Sequence, residues 1–247
     1  MRDIANSMKT TKLIAILASV AIGSLLAHAQ GTFQNLDFES VNLTPVPPQV
    51  WPQTFVPISS ALPGWNASIG GDAVTEILQN GYDSGTASVD ILGPNWTAIE
   101  PGIIDGHYTV FLQSGFSPQN NSIGVNTSIW QNGTIPANAQ SLHFSAWNWN
   151  SGSPFTVSFN GNDLSLVALY LAQTAAGQTN TVYEANIAPY AGQTGQLEFT
   201  SVFTYAGASW TEFDDITFLT VPEPGILTMT VVGGLLFSAR KWIAQHR

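Results

Sequence analysis

No cysteine occurs among the 247 residues, and no lysine or arginine lies between Gln30 and Ala239. The first absence excludes disulfides, a thiol nucleophile and thiolate metal sites. The second excludes nucleic acid as a partner, because a chain with 16 acidic residues and no internal base cannot neutralise a phosphate backbone. Histidine is scarce too: His28 and His246 lie near the ends, which leaves His107 and His143 for the interior. Two histidines cannot build a three-histidine metal site, and no G-x-S-x-G, H-E-x-x-H or P-loop pattern occurs. Acids without bases can still attract divalent cations.

The six basic residues that exist are all near the ends: Arg2, Lys9, Lys12, Arg240, Lys241 and Arg247. At the front, Lys9 and Lys12 precede the uncharged run Leu13 to Leu26, and Ala27-His28-Ala29 follows. This is the order of a secretory signal peptide over residues 1–29, with Ala27 and Ala29 framing the cleavage site. Met8 offers an alternative start that leaves the signal whole.

At the back, Pro222-Glu223-Pro224 precedes the uncharged stretch Gly225 to Ala239 and then Arg240-Lys241. As a helix this stretch would reach about 22 Å, short of a hydrocarbon core of about 30 Å. Snorkelling by Arg240 and Lys241 could extend a transmembrane helix here and hold that end on the cytoplasmic side. The two prolines would stop the helix from running back into the body.

Motif, short apolar helix and basic tail over residues 221–247 resemble the PEP-CTERM sorting signal of bacterial exported proteins. The resemblance implies a partner, an exosortase-like membrane protease-transpeptidase, acting after signal peptidase. It also implies an itinerary: anchorage in the inner membrane with the body facing the periplasm, then release to the cell surface or an exopolysaccharide matrix.

Between the two ends, residues 30–220 form one domain-sized body without convincing helical periodicity. Short alternating runs recur instead: 87–92, 107–113, 125–132, 141–150, 155–161, 163–171, 181–187, 195–204 and 213–220. Asn160-Gly161 between two of them is a hairpin signal. The expectation is an all-β, antiparallel sandwich of jelly-roll type. The proline-rich stretch 42–64 reads as a loop across one end.

Four landmarks carry a second resemblance: "NLDFES" from Asn35, "LPGW" from Leu62, "DGHYTVFL" from Asp105 and "FDDITF" from Phe213. Their order is similar to that of jelly-roll, galactose-binding-like and carbohydrate-binding modules. The resemblance implies that the first and last strands pair and that nearby acids hold a structural calcium. It nominates Glu39 and Asp215 as ligands, with Asp214 as substitute. Leu36 stands where that pattern usually has glycine. Other than calcium, no cofactor is implied.

In "SLHFSAWNWN", alternation assigns Leu142, Phe144 and Ala146 to one face and His143, Ser145, Trp147 and Trp149 to the other. The first set suits a core. On the second, Trp147 and Trp149 beside His143 would form a platform for sugar rings, or else pack as ordinary interior residues. Adjacent Asp214 and Asp215 would point to opposite faces of a strand and make a poor catalytic pair. No catalytic residue is nominated. The reading is therefore a non-enzymatic exported protein that binds polysaccharide. The alternatives are a glycan hydrolase using a carboxylate pair, or a structural surface protein.

Overall fold

A run of eight residues that alternates apolar and polar side chains can bury one face of a strand and leave the other for something else. In the computed structural model, Ser141–Asn148 forms such a strand, β9, with Leu142, Phe144 and Ala146 all buried in the core. The structure describes residues 31–46, 53–81, 85–96, 102–148, 154–174, 177–204 and 207–220. The expected signal peptide, the sorting tail with Pro222, Glu223, Pro224, Arg240 and Lys241, and Trp149 lie outside the described residues. Among the described residues no helix is long and apolar enough to cross a membrane.

The strands are β1 (Phe55–Pro57), β2 (Asn66–Ile69), β3 (Asp72–Val74), β4 (Glu76–Gln79), β5 (Ser88–Leu92), β6 (Thr109–Ser117), β7 (Asn120–Val125) and β8 (Thr127–Thr134). After β9 come β10 (Phe155–Phe159), β11 (Asn162–Asp163), β12 (Leu166–Gln173), β13 (Thr179–Asn186), β14 (Thr194–Ser201) and β15 (Ser209–Leu219). One four-residue helical turn, α1 (Ile58–Ala61), interrupts them.

Two sheets result. A nine-stranded sheet runs β1-β4-β5-β6-β15-β9-β13-β12, with β7 paired to β6, and a six-stranded sheet runs β11-β10-β14-β8-β2-β3. The molecule is thus an all-β sandwich of two sheets. Phenylalanines from both sheets interlock between them. Phe144 of β9 lies edge-on to Phe199 of β14 at 5.2 Å, and Phe213 of β15 lies edge-on to Phe155 of β10 at 5.3 Å. Such pairs contribute about 0.5–1.5 kcal/mol each beyond the area they bury.

The Asn160-Gly161 turn forms as expected, with both residues at positive φ (52° and 74°) joining β10 to β11. Three expectations need correction. β1 and α1 form inside the proline-rich stretch read as a loop. β4 and β5 pair parallel in an otherwise antiparallel sheet. The first and last strands do not pair: β1 lies beside β4, whereas β15 lies between β6 and β9. The chain near Leu36 meets β15 through one bond instead, Ile216 N–H to the Leu36 carbonyl at 3.0 Å.

Candidate functional site

The four landmark stretches converge on one structural knot. Asn35 and Phe38 adopt positive φ (50° and 55°), which folds the segment sharply and sends Leu36 and Phe38 into the core. The Asn35 carbonyl accepts the Trp65 indole N–H at 2.9 Å, and Trp65 packs against Phe38 at 5.5 Å. Glu39 Oε1 accepts the amides of His107 (2.6 Å) and Tyr108 (2.9 Å). Gly106 permits that approach: a Cβ there would lie 2.3 Å from Glu39 Oε1. Asp214 Oδ2 closes the knot by accepting the Asp105 amide at 3.1 Å.

Glu39 thus directs one oxygen at two amide hydrogens, a poor arrangement for a cation at that oxygen. Its other oxygen lies 3.4 Å from His107 Nδ1. Among the described residues no group of three or more His, Asp or Glu side chains converges to hold a metal ion.

The outer faces of the two sheets differ. On the six-stranded sheet, register places Ser68, Ser128, Thr200 and Thr156 in one row across β2, β8, β14 and β10. The next row is Asn66, Trp130, Glu198, Ser158 and Asp163. All of the first row, with Glu198, Ser158 and Asp163 of the second, line an open groove of about 650 Å³ that Gly70, Gly124 and Asn126 also line. Thr200 Oγ1 donates to Ser128 Oγ at 3.2 Å, which aligns the hydroxyls along the floor. Trp130 is half-buried and shares its row with Glu198, Ser158 and Asp163, three of the groove's lining residues. Sequence reasoning passed over Trp130. The signal was present in "VNTSIWQN", where Trp130 is in phase with Ser128 and Asn132, not with the core residue Ile129.

On the nine-stranded sheet the outer face is covered where β5, β6, β15 and β9 adjoin. Asp90, Phe111, Glu212 and Trp147 form one row across β5, β6, β15 and β9. Leu92, Trp96 and Phe111 make a second buried cluster there, against which Ile103, Trp147 and Trp210 pack. Three carboxyls are buried beneath this cover. Burial pushes the Asp90 carboxyl well above the usual carboxylate range, although amides of Gly81, Ile91 and Asn80 partly offset it. Burial likewise raises Glu212, against some opposition from the Gly102 amide and with the Asp214 charge adding to the rise. Neither Glu212 oxygen makes a hydrogen bond of sound geometry among the described residues. Asp214 is also raised by burial, opposed first by the Thr109 hydroxyl at 2.6 Å.

Two of the nominated platform residues, Trp147 and His143, lie on this second face. Trp147 is half-buried in the cluster, and His143 is buried with Nε2 2.7 Å from Glu184 Oε2. A bulge between Asp214 and Thr217, with Asp215 at φ 50°, breaks the strand alternation. The two adjacent acids therefore part as buried and exposed, and Asp215 joins His143, Ser145, Tyr170 and Thr217 around a pocket of about 150 Å³. The segments of Glu39 and Asp215 meet directly at the bond from Ile216 N–H to the Leu36 carbonyl.

No protein-family model matches the chain, and no curated protein matches it. Several solved structures are similar at a distance. One is the enzymatically active domain of tailspike protein 4 of bacteriophage CBA120, with 10% identity and a TM-score of 0.34 over 64% of this chain and 19% of that one. Another is TmCBM61 in complex with β-1,4-galactotriose, with 17% identity and a TM-score of 0.36 over 77% of this chain and 99% of that one. A third belongs to the carbohydrate-binding modules of the β-sandwich superfamily, with 11% identity and a TM-score of 0.30 over 69% of this chain and 63% of that one. All are remote, and the sandwich assignment rests on the strand pairing itself.

Proposed function

We propose that this is an exported, non-catalytic protein whose sandwich binds a neutral polysaccharide in the groove of the six-stranded sheet. One observation carries the reading: an open, hydroxyl- and carboxylate-lined groove with Trp130 in register beside Glu198, Ser158 and Asp163. Sugar rings need a flat apolar surface for their C–H faces and nearby acceptors for their hydroxyls. With no lysine or arginine from Gln30 to Ala239, the groove offers nothing to an anionic glycan. Delivery to the surface follows the terminal motifs. The Pro222-Glu223-Pro224 break, the apolar 225–239 stretch and Arg240-Lys241 serve as a detachable anchor, processed once the signal peptide has been removed.

Affinity electrophoresis of the full chain in gels containing neutral polysaccharides tests the body. Trp130→Ala is expected to abolish retardation while leaving the thermal transition in place. Trp147→Ala, on the covered face, is the comparison variant. Retardation lost in Trp147→Ala but kept in Trp130→Ala would move the site to the face of His143, Trp147 and Trp149. Retardation abolished by a chelator would support a calcium role for Glu39 and Asp215.

A further inference from the structure

A second pocket lies on the sheet opposite the groove, where the β15 bulge meets β9. Its volume is about 150 Å³, under a quarter of the groove's 650 Å³. A space of that size takes one small ring or a short chain, not a length of polysaccharide.

The bulge builds this pocket. Asp215 and Ile216 stand opposite the single residue Phe144 of β9, between the pairs Asp214–Ser145 and Thr217–His143. Two hydrogen bonds hold the bulge from behind. The Asp215 amide donates to Asp214 Oδ1 at 2.8 Å, and the Ile216 amide donates to the Leu36 carbonyl at 3.0 Å. Asp215 is thereby fixed at φ 50°, exposed and lining the pocket.

Beneath it lies a hydroxyl with nothing to bond. Ser145 is 7% exposed, lines the same pocket, and its side chain makes no hydrogen bond among the described residues. Such a group costs stability unless a ligand completes it. Thr217 brings a second hydroxyl from the neighbouring strand. An ionised Glu184 accepts from His143 Nε2 at 2.7 Å, which in a neutral ring leaves Nδ1 as an acceptor.

These groups select by charge. An anion would meet Asp215 with no lysine or arginine between Gln30 and Ala239 to offset it. A metal ion lacks ligands, since no three acids or histidines converge among the described residues. An alkylammonium head has three donors and no acceptor, and Asp215, Ser145 and Thr217 offer it a carboxylate and two hydroxyls. Tyr170 lines the pocket too and adds an aromatic ring, the kind of surface that attracts cations.

We propose that the pocket at the β15 bulge binds a primary ammonium group, independently of the groove. Titrating the isotope-labelled full chain with n-butylammonium chloride, followed by amide NMR shifts, tests it. Saturable shifts are expected at Ser145, Asp215 and Thr217. None is expected from n-butanol, which keeps the chain but lacks the charge, or from sodium chloride at matched ionic strength. Asp215→Asn keeps a side chain that tolerates positive φ, and should weaken binding about tenfold or more. Ser145→Ala should weaken it severalfold while leaving the thermal transition in place, because the hydroxyl it removes has no partner. Nα-acetyl-lysine methylamide separates two sources of the group. Tighter binding than n-butylammonium assigns the pocket to a lysine of a partner protein, and equal or weaker binding assigns it to small free amines. Shifts reproduced by sodium chloride or n-butanol, or an affinity unchanged in Asp215→Asn, would overturn the proposal.

Discussion

Two faces of one sandwich, built from the same kinds of strand, have opposite fates. The outer face of the six-stranded sheet carries serines, threonines and one tryptophan and stays open. The outer face of the nine-stranded sheet carries Asp90, Glu212 and Asp214, and is sealed under Leu92, Trp96 and Ile103. Three carboxyls are buried on the second face, whereas the first keeps Glu198, Asp163 and its hydroxyls at the groove, so burial here does not follow polarity alone. Hydroxyls tolerate either setting at small cost, whereas a sealed carboxyl must stay protonated or lose its cover.

The sharpest way to break the comparison is to remove the aromatic that seals the second face. Phe111 is 1% exposed and stands between Asp90 and Glu212 in their shared row. Phe111→Ala should destabilise by about 3–5 kcal/mol, the usual cost of emptying a phenylalanine site. Urea titration against the wild type measures it, and a loss under about 1 kcal/mol would mean that the second cluster is not a core.

Next in size is the response to pH. The folded pKa values of Asp90, Glu212 and Asp214 all lie above those of an unfolded chain. The stability associated with these protonated carboxyls is complete below the unfolded carboxyl range and is lost as pH rises through the raised values. Urea midpoints should therefore fall from acid toward neutral pH. Glu212→Gln removes one such group without changing its shape. It should be more stable than wild type at pH 8, where the raised carboxyl of the wild type is held protonated at a cost. No gain is expected below about pH 4, where the unfolded carboxyl is itself protonated. A pH-independent gain would assign the effect to packing.

How much of this was legible follows from what alternation records. The strands β5, β9 and β10 lie within runs picked out by period-two patterning, and β6, β8, β12, β13, β14 and β15 overlap such runs. The short strands β1, β2, β3 and β4 were missed: three or four residues are too few to show a period. Alternation also says which side chains share a face, but not whether that face is covered. Trp130 and Trp147 both stand on non-core faces, and only tertiary packing leaves one beside a groove and presses the other into a cluster. Asp215 was nominated, but its place beside His143 and Ser145 was not legible, because the bulge after Asp214 shifts the phase and no pattern of polar residues announces it. The landmark residues were readable as a set, while their shared task of tying four distant segments together was not.

A smaller effect is expected at the turn bordering the groove. Gly161 sits at φ 74° with nothing within 4 Å of a hypothetical Cβ, so space permits alanine and only the backbone objects. Gly161→Ala should cost about 1 kcal/mol. A cost several times larger would show that the β10–β11 hairpin supports more than its own turn.

The smallest change in stability should accompany the largest change in binding, and this pairing separates the two faces most directly. Thr156 and Thr200 lie side by side in the groove floor, Thr156 half-buried and both outside the core. Their substitution by alanine removes hydroxyls without opening a cavity, so the urea midpoint should move by no more than about 0.5 kcal/mol for each. A ligand that uses those hydroxyls loses two hydrogen bonds, each contributing about 0.5–1.5 kcal/mol net. Affinity should then fall between roughly fivefold and a hundredfold. The same double substitution at Ser88 and Ser145, on the covered face, should leave affinity unchanged. If both pairs alter binding equally, the groove is not the site; if neither does, the open face is a surface with no polysaccharide to hold.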